Sequence, residues 1–278
     1  MWSLPTPTRT AADTFELCIS RVRSKELRDR LAAIIDQIAA ASTQFSDRVR
    51  ANDVCSIPLN DAVGTVSGEE LEDVYTQRLV PARGPGRIIY DELIASAPNG
   101  RCPLCGHRQV TTLDHFLPKS KYRALTVTPL NLVPSCADCN HVKLDVVPAT
   151  EEEVTLHPYF DDVEGDRWLY ATVEETAPAS ATFFVAAPNH WSQQLRARVG
   201  HHFDVLHLSR LYSAQAAEEV LNVRFELDIV LNATGWRSVS DHLSLAAESR
   251  ERAHRNSWQT ALYWAWSRSE WFCRGGFQ

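Results

Sequence analysis

Two Cys-x-x-Cys pairs, Cys102/Cys105 and Cys136/Cys139, constrain this chain more than any other feature. Four thiolates satisfy zinc tetrahedrally in structural sites that leave no coordination position open. Cys102 and Cys105 flank a Pro-Leu knuckle, and Cys136 and Cys139 can sit one turn apart near the start of a helix. Such a set closes the base of a small fold that lacks enough apolar surface to hold itself together. The competing reading is a redox pair or unrelated thiols, which two pairs so close in sequence make weak. His107 is near enough to compete as a ligand, but a complete cysteine quartet leaves it a solvated or structural role. Cys18, Cys55 and Cys273 stand alone and read as small buried hydrophobes or inert thiols, which a reducing compartment suits.

The remaining composition sets the frame. A length of 278 residues with 44% hydrophobic content allows one large domain or two modest ones with a real core. No run approaches a membrane span, and MWSLPTPTRT lacks a charged start followed by an apolar stretch, so no membrane partner is expected and cytoplasmic residence is the expectation. A net charge of -7 argues against an autonomous nucleic-acid binder, but the charge is uneven. Residues 101–145 carry a local balance of +3, whereas 149–190 reach -8 through runs such as Glu151-Glu152-Glu153 and Asp161-Asp162. That acidity fits a solvated face, a surface that repels backbone, or a dock for a basic partner.

Apolar spacing at Leu27, Leu31, Ile34 and Ile38 predicts helix over about 11–42. Residues 56–68, with Pro58, Gly64 and Gly68, read as a loop, followed by helix over 69–80, a stop at 81–86 and a short helix over 87–95. Short β-rich runs fall at 168–173 and 181–186; helices follow from Trp191, over 209–225, and over 241 to about 267. The last carries Trp258, Tyr263, Trp264 and Trp266, with Trp271 and Phe272 beyond, a set suited to core packing, a protein interface or base stacking. The expected fold class is α+β: a mainly helical scaffold with an embedded zinc-stabilised module at 98–147, between a helical region at 1–97 and, at 148–278, an acidic β-containing segment followed by helices.

The stretch RCPLCG, TTLDHFLPKS and PLNLVPSCADCNHVK resembles an HNH endonuclease of the ββα-metal type with a zinc-binding cysteine quartet. The matched positions are Asp114 and His115 on the first strand, Asn131 in the loop or second strand, and Asn140 on the helix. The resemblance implies phosphodiester hydrolysis, most naturally of DNA, with 5'-phosphate and 3'-hydroxyl products. HPYFDD at 157–162 and HHFDVLHLSRLY at 201–212 are similar to larger bacterial HNH proteins, including nuclease subunits of anti-phage defence systems such as Septu. In those systems a separate ATPase subunit is the partner, and this chain has no phosphate-cradling GxxxxGK loop of its own.

Residue chemistry agrees with that carry-over. Magnesium or manganese takes oxygen donors, which Asp114 and Asn140 supply. Neutral His115 serves as the general base toward water, and Asn131 orients His115 or pins the connecting loop. On a strand, Asp114 and His115 point to opposite sides, a difficulty for one shared site unless it forms at the edge between strand and helix. Lys119, Lys121, Arg123 and Lys143 are candidate phosphate contacts, each also at home on a solvated surface; Tyr122 can stack or pack, and His141 can contact substrate or metal, orient a neighbour or stay at the surface. The alternative function is a non-catalytic zinc module that binds nucleic acid or protein.

Overall fold

A computed structural model describes residues 1–278 and divides them into two units, Met1–Asp162 and Val163–Gln278. The fold is α+β and largely helical, with three separate two-stranded antiparallel hairpins. No helix is long and apolar enough to cross a membrane.

In the first unit the stretch expected as helix over 11–42 is broken into α1 (Ala11–Ile19), α2 (Lys25–Ala32) and α3 (Ile35–Arg50). Caps set two of the starts. Thr10 and Ser24 hydroxyls accept from the amides of Asp13 and Leu27, satisfying donors that each helix start leaves unpaired. The apolar spacing therefore crosses a break, yet Leu31, Ile34 and Ile38 are still buried. Residues 56–68 contain a minimal hairpin rather than loop alone: β1 (Ala62–Val63) pairs with β2 (Val66–Ser67). Gly64 turns it at φ +55°, and a Cβ there would lie 2.9 Å from Ile34 Cγ2.

Helix α4 (Gly68–Asp73) opens on a reciprocal capping box between Ser67 and Glu70. It runs into a π-helical turn, Val74–Leu79, instead of continuing as α-helix to Val80. After the Pro81 stop comes α5 (Arg87–Ala95), as expected. Phe15, Leu31, Ile34, Ile38, Leu71, Leu79, Ile89 and Leu113 form one buried cluster under these helices. Each contributes roughly 1.5–3 kcal/mol relative to exposure.

Against that cluster lies a second hairpin, β3 (Thr112–His115) and β4 (Leu132–Ser135), followed by α6 (Ala137–Lys143). Its register pairs Leu113 with Pro134, Asp114 with Val133 and His115 with Leu132. Proline is tolerated because a two-stranded ladder always has an outer edge that needs no donor. Residues 98–147 lie within this first unit.

The second unit holds β5 (Leu169–Glu174) paired with β6 (Ser180–Val185), then α7 (Gln193–Val205), α8 (Leu208–Thr234), α9 (Trp236–Ala253) and α10 (Trp258–Arg268). The helix expected over 241–267 is two helices, separated at Asn256. Its buried amide accepts from Trp168 N at 2.8 Å and donates to Asp166 O at 2.8 Å, so a tertiary tie interrupts the helical ladder. Trp258, Tyr263, Trp266 and Phe272 pack in the core, with Trp266 and Phe272 stacked at 4.9 Å. Within HHFDVLHLSRLY, His202, Phe203 and Tyr212 are likewise buried.

Candidate metal centre and the adjoining polar site

Local backbone geometry builds the cysteine site from two short pieces. Around Cys102 and Cys105 the chain closes on itself through Gly106 N to Cys102 O (2.7 Å) and Cys102 N to Arg108 O (2.8 Å), and the Arg108 amide points at Cys105 Sγ. Gly106 turns the knuckle at φ +62°, and a Cβ would meet the Trp2 indole at 3.2 Å. Cys136 is the N-cap of α6, where its sulfur accepts from Cys139 N at 3.4 Å. Arg108 and Asp138 tie the two pieces together at 2.8 Å.

All four sulfurs are buried and lie within 4.8 Å of one another. A zinc–sulfur bond of about 2.3 Å gives tetrahedral edges of roughly 3.8 Å, a size compatible with sulfurs gathered this closely. Four thiolates confined together repel strongly unless a cation compensates them. The buried quartet can thus chelate a divalent metal, and its donor set suits structural zinc.

The neighbouring polar site grows from β3. Leu113 and His115 face the apolar cluster, and Asp114 faces the other way, as strand alternation requires. The His115 ring meets Tyr75 edge-on at 4.5 Å, and Nε2 lies 2.8 Å from Thr126 O. Burial pushes the imidazole down to about 4, so it is neutral near pH 7. A neutral ring donating from Nε2 to the carbonyl keeps Nδ1 as its proton acceptor.

Asp114 is 5% exposed and pairs with Lys143 of α6 at 3.1 Å. Burial raises its carboxyl above the usual range, opposed by the Lys143 charge. The same ammonium donates to His115 O at 2.6 Å and Phe116 O at 2.8 Å, using all three of its hydrogens on one cradle of oxygens. Asn140 lies one residue after Cys139 on the same helix, half-buried, with its backbone N–H donating to Cys136 O. The sulfurs therefore fix the helix that brings Asn140 and Lys143 to the edge of β3. No hydrogen bond joins the Asn140 side chain to Asp114 or His115.

Asn131 is fully buried and pins the loop after β3. Its Oδ1 accepts from Leu117 N at 2.8 Å, and Nδ2 donates to Leu117 O at 3.0 Å and Leu125 O at 3.3 Å. Asn131→Ala should destabilise the protein by about 2–4 kcal/mol, since it strands buried partners as well as deleting bonds. Urea titration followed by far-ultraviolet circular dichroism measures this; a loss below about 0.5 kcal/mol would show that water replaces the amide.

The other basic candidates are differently placed. Lys119 and Arg123 both bind Glu72 of α4, Arg123 at 2.7 Å, and Lys121 is exposed. Tyr122 is buried, with its backbone pairing to Asn60. Sequence patterns missed Tyr75, Thr126 and Glu72, because none carries a spacing signature that links it to β3. HPYFDD does have a role here: His157 Nε2 lies 3.0 Å from Leu130 O, and the Tyr159 hydroxyl donates to Leu132 O at 2.9 Å. The second bond braces the strand residue opposite His115, and the first braces the turn that leads into that strand. Among the isolated cysteines, Cys18 and Cys273 are buried and Cys55 is exposed.

The chain is similar to Protein ea31 of Escherichia phage lambda, at 28% identity over 298 aligned positions covering 99% of this chain and 100% of that one. No family model matches. No solved structure matches.

Proposed function

We propose that the protein is a metal-dependent HNH-type endonuclease that hydrolyses nucleic-acid phosphodiester bonds, DNA in the first instance. The observation that carries this reading is the β3–β4–α6 unit, an antiparallel hairpin and a helix clamped by the cysteine quartet, with Asp114, His115 and Asn140 on it. A neutral buried imidazole held at Nε2 by Thr126 O is suited to take a proton from water. Asp114 and Asn140 would hold magnesium or manganese, and the oxygen cradle around Lys143 supports a preference for positive charge at this edge. When bound, the ion supplies Lewis-acid stabilisation of charge on phosphate and leaving oxygen. Asn131 keeps the loop that presents Thr126 and His115 in place. Lys121 contacts phosphate directly, whereas Lys119, Arg123 and Lys143 do so by exchanging their present carboxylate partners.

The residues 98–147 act as the nuclease module, between the helical region 1–97 and the acidic and helical remainder. The full-length match to a phage-encoded chain supports the two units working together. The resemblance of HPYFDD at 157–162 and HHFDVLHLSRLY at 201–212 to defence nucleases supports an effector role in an anti-phage complex with a separate ATPase subunit, inside the cytoplasm. One observation favours the alternative of a non-catalytic zinc module: the Asp114 carboxylate already has Lys143 as its counter-ion.

Incubating the purified chain with supercoiled plasmid, linear duplex and single strands separates the two readings. We expect nicking or cutting that requires added magnesium or manganese and leaves 5'-phosphate ends. Binding without cleavage across these substrates and metals, with an ATPase partner also supplied, would remove the nuclease reading.

A further inference from the structure

The bases near β3 are mostly neutralised within the chain. A cluster of uncompensated positive charge in the first unit lies elsewhere. Arg21, Arg23, Arg78 and Arg83 make no ion pair and no side-chain hydrogen bond, and all four line one cleft of about 690 Å³. Arg21 and Arg23 come from the α1–α2 connection, Arg78 from the π-helical turn, and Arg83 from the turn that follows it. No aspartate or glutamate lines this cleft, although acids outnumber bases in the chain 35 to 28.

The backbone is built to hold these groups together. Gly84 N donates to Pro81 O at 2.8 Å and Gly86 N to Arg78 O at 3.0 Å. A Cβ at Gly84 would lie 2.3 Å from Arg78 O, so only glycine lets the 81–86 turn close over Arg78 and set Arg83 on the rim. Gathering four like charges without counter-ions is unfavourable unless a polyanion occupies the space. Guanidinium forks match phosphate oxygens in particular.

We propose that Arg21, Arg23, Arg78 and Arg83 form a phosphate-binding cleft that grips the backbone of a nucleic acid. The lining contains no aromatic side chain on which a base could stack, so the cleft reads phosphate and not sequence. Its place in the chain ties it to the candidate site: Tyr75, against the His115 ring, and Arg78, in the cleft, belong to the same π-helical turn. The choice of nucleic acid over other polyphosphates rests on the nuclease reading; the phosphate chemistry of the cleft does not.

The test uses the whole chain, with no added magnesium, and a fluorescent 30-base-pair duplex whose binding is followed by anisotropy across a salt series. Arg21, Arg23 and Arg83 are exposed, so the triple variant Arg21→Ala/Arg23→Ala/Arg83→Ala should keep the wild-type melting curve. Its affinity should fall about 10- to 100-fold near 100 mM salt, with the slope of log K against log salt reduced by roughly 2–3. A charge-matched control, Arg210→Ala/Arg224→Ala/Arg252→Ala, alters exposed arginines of the second unit and should stay within about twofold of wild type. Equal losses in both triples would reduce the effect to net charge and overturn the proposal. So would an unchanged slope in the first triple, or no duplex binding by the wild type at 50 mM salt. Displacement of the duplex by micromolar ATP would assign the arginines to a free nucleotide instead. Arginine-dependent binding in a chain that cuts nothing would sustain the cleft and defeat only the nuclease reading.

Discussion

His115→Ala should lower metal-dependent cleavage by about 10²- to 10⁴-fold, the span expected for loss of a positioned general base. Zinc content and melting temperature should change little by comparison. His115 is near the surface edge of its cluster at 9% exposed, and its contribution to packing is one ring against Tyr75. The outcome depends on geometry as well as chemistry, because Thr126 O fixes the ring through Nε2. His115→Gln separates the two effects: an amide can keep a bond to Thr126 O but cannot accept a proton from water near neutral pH. We expect it to be as inactive as alanine and more stable. Wild-type rates in either variant, measured on plasmid under single-turnover conditions, would remove His115 from the reaction.

Cys139→Ser should cost more in structure than any other single change. The quartet joins the knuckle at Cys102–Cys105 to the first turn of α6, and Arg108 forms an ion pair with Asp138 across that junction. Metal binding by such a quartet contributes about 10–16 kcal/mol of gross free energy, so losing one thiolate forfeits several kcal/mol even if three ligands remain. A drop in melting temperature of roughly 10 °C or more is expected, together with loss of the zinc that the wild type should carry at one ion per chain. Atomic absorption and circular dichroism measure both. If the variant cannot be purified, titrating the wild type with a zinc chelator makes the same comparison. A melting curve indifferent to metal removal would show that the sulfurs are only a buried thiol cluster.

The cysteine cluster was legible in sequence because thiolate spacing is a local property: two residues between ligands leave a knuckle or a helical turn little choice. The hairpin that carries Asp114 was legible only as strand-like residues, since its register is set by Leu132 to Ser135 on the far side of a long loop. Helix breaks were misread for two distinct reasons. At Ala33–Ile34 the apolar spacing from Leu27 to Ile38 runs unbroken across the gap between α2 and α3, although Ser24 caps α2 only just before it. At Asn256 the break comes from bonds to Trp168 and Asp166, which no local pattern encodes. The partners of the basic residues were hidden in the same way, because Glu72 reaches Lys119 and Arg123 from a different helix.

The π-helical turn Val74–Leu79 gives this region an unusual intolerance of length. Such a turn holds one residue more than an α-helical turn, and a deletion anywhere within it would relax the segment to ordinary helix. The residues flanking the turn would keep their facing, but a deletion at Thr76 or Gln77 would leave Arg78 two steps of about 100° around the axis from Tyr75 instead of three. Tyr75 could stay against His115 while Arg78 left the cleft, with composition nearly unchanged and every remaining side chain intact. The spacing between those two residues is thus a gear setting: substitutions can wear it, but the loss of a single tooth disengages one surface from the other.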